Sequence, residues 1–393
     1  MTQSRKRQPA SRPEADADMD DLPLGESPER TGLPAGADAS ANAESLADAE
    51  SLANAESSAY ADSSALIDRF LAESGGSAVR DGEAKTPEDW RTDDVPEGHR
   101  SGFVAVIGRP NVGKSTLVNA LVGQKIAIVS PKPQTTRNRI TGILTVPEYQ
   151  MIFIDTPGIH KGPPHRLNKI MVDQAVGAIP DADVILFVVD VSARPRDEDR
   201  AISTLLQEKA ATRPVFFVLN KMDQLTLAQA EARIQSYWAL LPGYADSIPV
   251  SALKGTNLDL LRDHILARMP IGPRYYPGDQ ITDQAEHQIA SELIREALLR
   301  YIYEEVPHSA AVLIEDYHRR EDGVFHVGAT IWVERDSQKA IVIGKGGQQL
   351  KRIGTEARAE LERLIEGRVF LELWVQVQPG WRDRVARLRE LGY

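Results

Sequence analysis

The spacing of apolar residues changes character twice along this chain. Between Gly102 and Ala252, short and nearly continuous apolar runs recur: FVAVIG at 103–108, MIFID at 151–155, VILFVVD at 184–190, VFFVLN at 215–220 and SIPVSA at 247–252. Each run ends in a glycine or polar signal, and helix-length segments separate them. Runs without polar alternation belong to strands buried on both faces, so this region is predicted to form a mainly parallel sheet covered by helices. Ligands of such sheets bind beyond the carboxyl ends of the strands, and those ends carry the chemistry read below.

The second change follows RMPIGPRYYPGDQ (268–280), whose prolines and glycines mark a linker. Beyond it, Ile289, Leu293, Ile294, Ala297 and Leu298 form the apolar stripe of a helix predicted over 283–305. Strands follow at 311–316 and 324–335, around a turn containing Asp322 and Gly323. A short helix, the loop IGKGGQQLKRIG, a helix to about Glu366 and a strand at 369–377 complete the order α-β-β-α-α-β.

The first hundred residues show neither texture. A six-residue repeat (NAESLA, DAESLA, NAESSA, YADSSA) runs from Asn42 to Ala65, and its period fits neither a helical face nor a solenoid. With few large apolar side chains to offset ordering entropy, the segment is expected to be disordered, apart from a short amphipathic helix at 65–73. A docking arm and a solubilising tail are both open to it. The expected domains are 1–99, 100–273 and 274–393.

Charge separates along the same lines. The net charge is −11, yet residues 1–100 alone hold 22 acidic against 10 basic side chains, leaving 35 against 36 in the remainder. The acidity belongs to the N-terminal segment and does not argue against a nucleic-acid partner for the rest. Cysteine is absent, which excludes disulfides and thiolate metal sites. The basic N-terminus lacks the apolar stretch of a secretory signal, and the longest apolar run, at 184–189, is far too short to span a bilayer. A cytoplasmic protein is expected.

GRPNVGKS at 108–115 matches G-x-x-x-x-G-K-[ST] between a predicted strand and a predicted helix. Gly108, Arg109, Pro110, Asn111, Val112 and Gly113 form a loop whose backbone N–H groups can wrap phosphates at a helix N-terminus. Lys114 is placed for the β- and γ-phosphates, Ser115 for Mg²⁺, and Thr116 continues the helix. Asp155, Thr156, Pro157 and Gly158 follow a buried strand: a carboxylate there can hold Mg²⁺ through water, and the glycine N–H can meet the γ-phosphate. Asn220, Lys221, Met222 and Asp223 end another strand, where the aspartate can accept two hydrogen bonds from guanine but not from adenine. Ser251, Ala252 and Leu253 end the next, where a backbone N–H could read the guanine O6. The order and spacing point to GTP and GDP as ligands, with Mg²⁺.

Between these lies PQTTRNRI (133–140). A threonine here can close on Mg²⁺ when the γ-phosphate is present; Thr135 and Thr136 are both candidates, and Thr136, directly before Arg137, is favoured. The groups expected to act in hydrolysis are Lys114, Thr136 and Gly158, and the Mg²⁺ ligands are Ser115, Thr136 and Asp155. The position that holds a water-orienting glutamine in Ras-type GTPases is Ile159, so slow intrinsic turnover is expected. Asn111 fits two readings: the asparagine of potassium-activated GTPases, which adds K⁺ to the cofactor candidates, or an amide that braces the loop.

Together GRPNVGKSTLVNALVG, QTTRNRITGI, FIDTPGIHK, LNKMD and VSALKGTN, followed by IGKGGQQLKRIGTEAR and LELWVQVQPGWRD, strongly resemble the Era family of ribosome-assembly GTPases from Gly102 to the end of the chain. The resemblance implies an α/β fold, a Ras-like P-loop GTPase domain followed by an α+β type II KH domain. It implies binding to the 3′ end of small-subunit (16S) rRNA and assistance to maturation of the 30S subunit, by a monomer. Some members of the family associate peripherally with the inner face of the cell membrane. The N-terminal hundred residues depart from the compact family pattern.

The glycine loop near the C-terminus is not a second nucleotide loop. Lys345 precedes Gly346, no Ser or Thr follows, and position 339 is lysine where a first glycine would stand. Gly344, Lys345, Gly346 and Gly347 instead fit the G-x-x-G that clamps nucleic-acid backbone between two helices. Lys345, Lys351 and Arg352 are placed for phosphates, and Ile343 and Ile353 are candidates to pack on unstacked bases or to join the core. Trp332 and Trp374 lie in predicted strands and are expected to pack rather than to stack on RNA, whereas Trp381 is open to either role. Residues 274–393 hold 17 basic against 20 acidic side chains, so any basic surface must be local. Two functions fit: a GTP-hydrolysing switch that controls rRNA binding, or an RNA-binding assembly chaperone whose G domain is mainly a nucleotide-sensing scaffold. A GTPase of tRNA modification leaves the KH-like segment unexplained.

Overall fold

The computed structural model describes residues 95–160, 165–303 and 305–393. The repeat at 42–65 and the helix expected at 65–73 lie outside the described residues.

Six strands form the first sheet: β1 (Arg100–Ile107), β2 (Ile140–Val146), β3 (Tyr149–Asp155), β4 (Val184–Asp190), β5 (Val215–Asn220) and β6 (Asp246–Pro249), in the order β2-β3-β1-β4-β5-β6. All neighbours are parallel except β2 and β3. Alternate residues serve opposite faces. Val104, Val106, Leu186 and Val188 pack with Leu117 and Leu121 of α1 (Lys114–Val122) and Leu261 of α5 (Leu258–Arg268). Ala105, Ile107, Phe187 and Val189 face Ile202 of α3 (Asp197–Lys209) and Tyr237 of α4 (Leu227–Trp238). Two covered faces are why these strands read as unbroken apolar runs.

Strand β2 went unpredicted. Its sequence, ITGILTV, includes a glycine, and only one of its neighbours in the sheet is a strand. Gly142 lets the Ile126 side chain pack close, since a Cβ would stand 2.3 Å from Ile126 Cδ1. The linker straps this edge of the sheet. Ile143 N–H donates to Ile281 O (2.8 Å), Thr282 Oγ1 to Thr141 O (2.7 Å), and the Gln150 amide accepts from Tyr275 and Tyr276 and donates to Tyr276 O.

The second sheet is β7 (Ala311–Arg319), β8 (Phe325–Val333) and β9 (Val369–Val377), with β7 antiparallel and β9 parallel to β8. Its inner face, including Val327, Ala329 and Ile331, packs on α6 (Glu286–Tyr301) and α9 (Gln348–Ile365) through Leu293, Ile294, Ile353, Ala357 and Leu361. The helix expected over 283–305 is therefore shorter at both ends, and a one-turn helix, α7 (Val306–Ser309), follows it. Ile302, at φ −106° and ψ 137°, is extended and ends the helix.

A smaller apolar cluster bridges the two sheets. Leu167 and Met171 of α2 (Arg166–Gly177) pack with Ala311, Trp332, Trp381 and with Leu388 of the C-terminal helix α10 (Val385–Glu390). Trp332 and Trp381 are thus core residues, the latter donating Nε1–H to Ser309 O at 2.9 Å. Trp374 overturns its expectation: it is 66% exposed on the outer face of β9, because alternation hands Val375 to the core instead. Between α8 (Asp336–Ile343) and α9 lies the Gly344–Gly347 loop.

Candidate functional site

The phosphate loop is shaped by close approaches that only glycine permits. A Cβ on Gly108 would stand 2.4 Å from Val188 O, and one on Gly113, at φ 96°, 2.4 Å from Asn220 Nδ2. Asn220 is the staple of the site: its amide donates to Val112 O at 2.8 Å and accepts from Ala252 N–H at 3.0 Å. One side chain therefore ties together three segments that the sequence reading treated separately. Lys221, at φ 68°, donates to Asn111 O and to the Asp190 carboxylate, both at 2.8 Å. The Asp223 carboxylate accepts from Ser251 Oγ at 2.6 Å, which orients an exposed acid at this end of the sheet.

Lys114 is buried, with Nζ donating to Gly108 O (3.2 Å) and Arg109 O (3.1 Å). Burial pulls its pKa down to about 8 against the opposing pull of Asp155. Ser115, Thr136 and Asp155 converge: Ser115 Oγ lies 2.6 Å from Asp155 Oδ2 and 2.8 Å from Thr136 Oγ1, and Thr136 Oγ1 is 3.3 Å from the same carboxylate oxygen. Burial pushes the Asp155 carboxyl up, opposed by Lys114 and by both hydroxyls, and its Oδ1 is buried without a hydrogen-bond partner. Two hydroxyls and a carboxylate with an unsatisfied oxygen suit a hard divalent cation such as Mg²⁺. Thr135 turns away, donating instead to Lys132 O at 2.6 Å.

Other named residues act through backbone or packing. The Arg109 side chain points away to Asp199 (3.2 Å), Val112 is fully buried, Met222 packs beneath the sheet, and Thr156 donates to Val106 O at 2.7 Å. Gly158 lies against Pro110, where a Cβ would come within 2.5 Å of the Pro110 nitrogen. Ile159 packs towards the apolar cluster between the sheet and α3, so no side chain at that position orients water. The Asn111 amide donates to Pro131 O at 2.7 Å and so braces the phosphate loop against the threonine-bearing segment.

That segment is anchored on its far side in the second domain. Arg137, next to Thr136, is 1% exposed; it donates to Ala310 O (2.8 Å), Pro307 O (3.1 Å) and His308 O (3.3 Å) and lies 5.8 Å from the Trp381 ring. Arg295 of α6 donates to Thr135 O, and Lys132 Nζ to Leu299 O and Ile302 O. The segment after Gly158 is tied too. Gln134 reaches His160 (2.8 Å), while Asp383 accepts from Arg166 N–H (2.9 Å) at the N-terminus of α2. These anchors escaped sequence reading, because an arginine in a polar loop carries no mark of the distant carbonyls it will meet.

In the G-x-x-G loop, Gly344, Gly346 and Gly347 have φ of 72°, 58° and 75°. A Cβ on Gly344 would meet Gln349 Cβ at 2.6 Å, whereas Gly346 and Gly347 face open space. Lys345, Lys351 and Arg352 are exposed beside it, with Arg352 4.7 Å over the Tyr301 ring. Ile353 is fully buried and belongs to the core, and Ile343 is half-buried against the same core. Tyr303, unremarked in the sequence, is 68% exposed and lines the same hollow as Gly344 and Lys345.

A family model described as a 50S ribosome-binding GTPase matches residues 103–221, and one described as a KH domain matches residues 305–382. GTPase Era of Heliobacterium modesticaldum is 50% identical over 294 residues, spanning 75% of this chain and 97% of the relative. GTPase Era of Geotalea uraniireducens is 49% identical, spanning 75% and 98%. Among solved structures, Era in complex with MgGDPNP and nucleotides 1506-1542 of 16S ribosomal RNA is similar with a TM-score of 0.72 at 40% identity, covering 75% of this chain and 99% of that one. An Aquifex aeolicus Era variant bound to GDP.AlF4- gives 0.71 at 40% identity with the same coverage. With relatives this similar over nearly their whole length, the chain belongs to the Era family of GTPases.

Proposed function

We propose that this GTPase is a switch whose nucleotide state sets the grip of the G-x-x-G loop on the 3′ end of 16S rRNA during maturation of the small ribosomal subunit. The observation that carries the reading is the adjacency of Thr136 and Arg137. The first side chain meets Ser115 and Asp155, while the next is buried among carbonyls of residues 307–310, directly before β7.

In this reading Lys114 holds the β- and γ-phosphates, and Ser115, Thr136 and Asp155 would hold Mg²⁺, which would neutralise charge on the phosphate oxygens. Gly158 N–H meets the γ-phosphate and Asp223 reads guanine. Lys345, Lys351 and Arg352 meet RNA phosphates. Loss of the γ-phosphate frees Thr136, and the strain passes through Arg137 to the start of the KH sheet. RNA affinity measured with GDP and with a non-hydrolysable GTP analogue tests this: equal affinities sink it.

The scaffold reading draws support from Ile159, which supplies no group to orient water. Single-turnover hydrolysis with and without the rRNA fragment, in potassium and in sodium, separates the two. Acceleration supports the switch, and potassium dependence supports a K⁺ role for Asn111; no acceleration by either ligand supports the scaffold. A monomeric state and peripheral contact with the inner membrane face are proposed on family resemblance alone; a cytoplasmic location is proposed from the cysteine-free composition as well. Among the described residues no helix is long and apolar enough to cross a membrane.

A further inference from the structure

We propose that the open end of the KH sheet is a binding site for a divalent transition-metal ion of the Zn²⁺ type, formed by Asp316, His318 and His326 with Glu372 behind them. The site lies on the outer face of the sheet, opposite the helices.

Strand β7 reaches it by a change of parity. Val312 and Ile314 face the core, and simple alternation would send Asp316 and His318 inward as well. The register shifts between Ile314 and Asp316, and Tyr317 takes the next inward position, so Asp316 and His318 both face out. Bulges of this kind re-aim side chains and recur beside functional sites. His318 stands directly opposite His326 on β8, and Asp316 opposite Gly328. The glycine leaves room, since a Cβ there would stand 3.2 Å from Asp316 Cβ.

The ligand atoms converge. His318 Nδ1 lies 2.7 Å from Asp316 Oδ1, His326 Nδ1 lies 2.9 Å from Asp316 Oδ2, and the donors of all three residues fall within 4.8 Å of one another. Ligand edges in a tetrahedral zinc site are about 3.3–3.5 Å, given metal–ligand bonds of about 2.0–2.2 Å. Opening the two histidine–Asp316 distances by about 0.4–0.8 Å would bring them to such edges and admit the ion. Two imidazoles and one carboxylate are donors that Zn²⁺, Co²⁺ and Ni²⁺ accept, and they leave a coordination position towards solvent.

The support behind His326 distinguishes this group from a chance surface cluster. His326 is buried, its ring stacks on Phe370 at 5.6 Å and 19°, and its Nε2 lies 2.9 Å from Glu372 Oε2 on β9. Without an ion both ring nitrogens face carboxylates; a metal at Nδ1 would displace the proton shared with Asp316 while Nε2–H stays donated to Glu372, the arrangement that orients metal-binding histidines. The three strands thus contribute two ligands, one ligand and one orienting carboxylate. Among the described residues this is the one group of three His, Asp or Glu side chains so arranged.

The test uses the full chain, freed of metal by chelation and saturated with Mg·GDP so that the phosphate site is occupied. Zn²⁺ is titrated by calorimetry, and Co²⁺ by its visible absorption. One site with Kd at or below about 10 µM is expected, weakened at least 20-fold in His318→Gln and in Asp316→Asn, and about 10-fold in Glu372→Gln. Zinc should raise the midpoint of thermal unfolding in the native chain and not in His318→Gln. His318 is exposed, so its variant should fold normally, as unfolding in chelator will show. Absence of binding tighter than about 100 µM, or equal affinity in His318→Gln, overturns the proposal.

Discussion

Replacing Arg137 by methionine removes the guanidinium while keeping much of the side-chain volume beside Trp381. Three carbonyls, of Pro307, His308 and Ala310, lose a charged donor at 2.8–3.3 Å. Hydrogen bonds to a charged group contribute about 1.5–3 kcal/mol each, offset by several kcal/mol for burying the ion. The remainder, on the order of 1–3 kcal/mol, lies in the range of measured coupling energies between sites and corresponds to roughly 5–150-fold in affinity. The native chain should therefore bind an RNA of the small-subunit rRNA 3′ end with affinities that differ by such a factor between GDP and a GTP analogue. In Arg137→Met the ratio should fall to within about 2-fold, with nucleotide affinity changed by less than about 3-fold. Fluorescence anisotropy with labelled RNA reads the ratio, and labelled nucleotide reads the control. Lys132→Met perturbs the same junction from its partly exposed side and should reduce the ratio by less. A folded Arg137→Met protein with the native ratio would refute the relay.

Asp223→Asn should weaken GTP by about 10²–10³-fold and shift preference towards XTP, since two charge-assisted hydrogen bonds to guanine are lost; retained guanine selectivity would remove Asp223 from the base site. Changing Gly346 and Gly347 together to Asp puts two negative charges beside the phosphate path and L-residues at positive φ, where each costs about 1–2 kcal/mol. RNA binding should drop at least 100-fold while GTP binding holds, and a parallel loss of both would contradict the division of labour between the loops. Nucleotide affinity should also depend on pH through Lys114, whose pKa is about 8 in the free protein. Bound phosphates favour the ammonium, so binding takes up a proton above pH 8. Affinity should be level below that pH and fall by up to about 10-fold per unit above it, and a flat profile to pH 9.5 would exclude the assignment.

The chemistry of the site was legible because it is local. A phosphate loop needs glycines at fixed offsets and a lysine and serine at a helix start, so Gly108, Gly113, Lys114 and Ser115 announce it within eight residues. The strand ends at Asp155 and Asn220 follow from apolar runs that stop, since both faces of the sheet are covered, whereas the strand expected over 247–252 ends at Pro249, two residues before Ser251. Edge strand β2, with its glycine, fell below that signal. The parity of a strand is set by pairing, and pairing is not local: Trp374 looked like a packing residue until β9 took its register beside β8. The same holds for the bulge that turns Asp316 and His318 outward.

What the sequence determined by itself is the two glycine loops, the family to which the motifs point and the order of the elements that carry them. Tertiary structure decided how they meet. Asn220 joining three motifs, Arg137 buried among carbonyls some 170 positions away, and Asp383 meeting the N-terminus of α2 all depend on long-range packing. A buried guanidinium is tolerated only where acceptors surround it, and those acceptors are backbone carbonyls, which every residue carries alike. No residue type marks them in advance, so the junction between nucleotide and RNA sites became visible only in the folded chain.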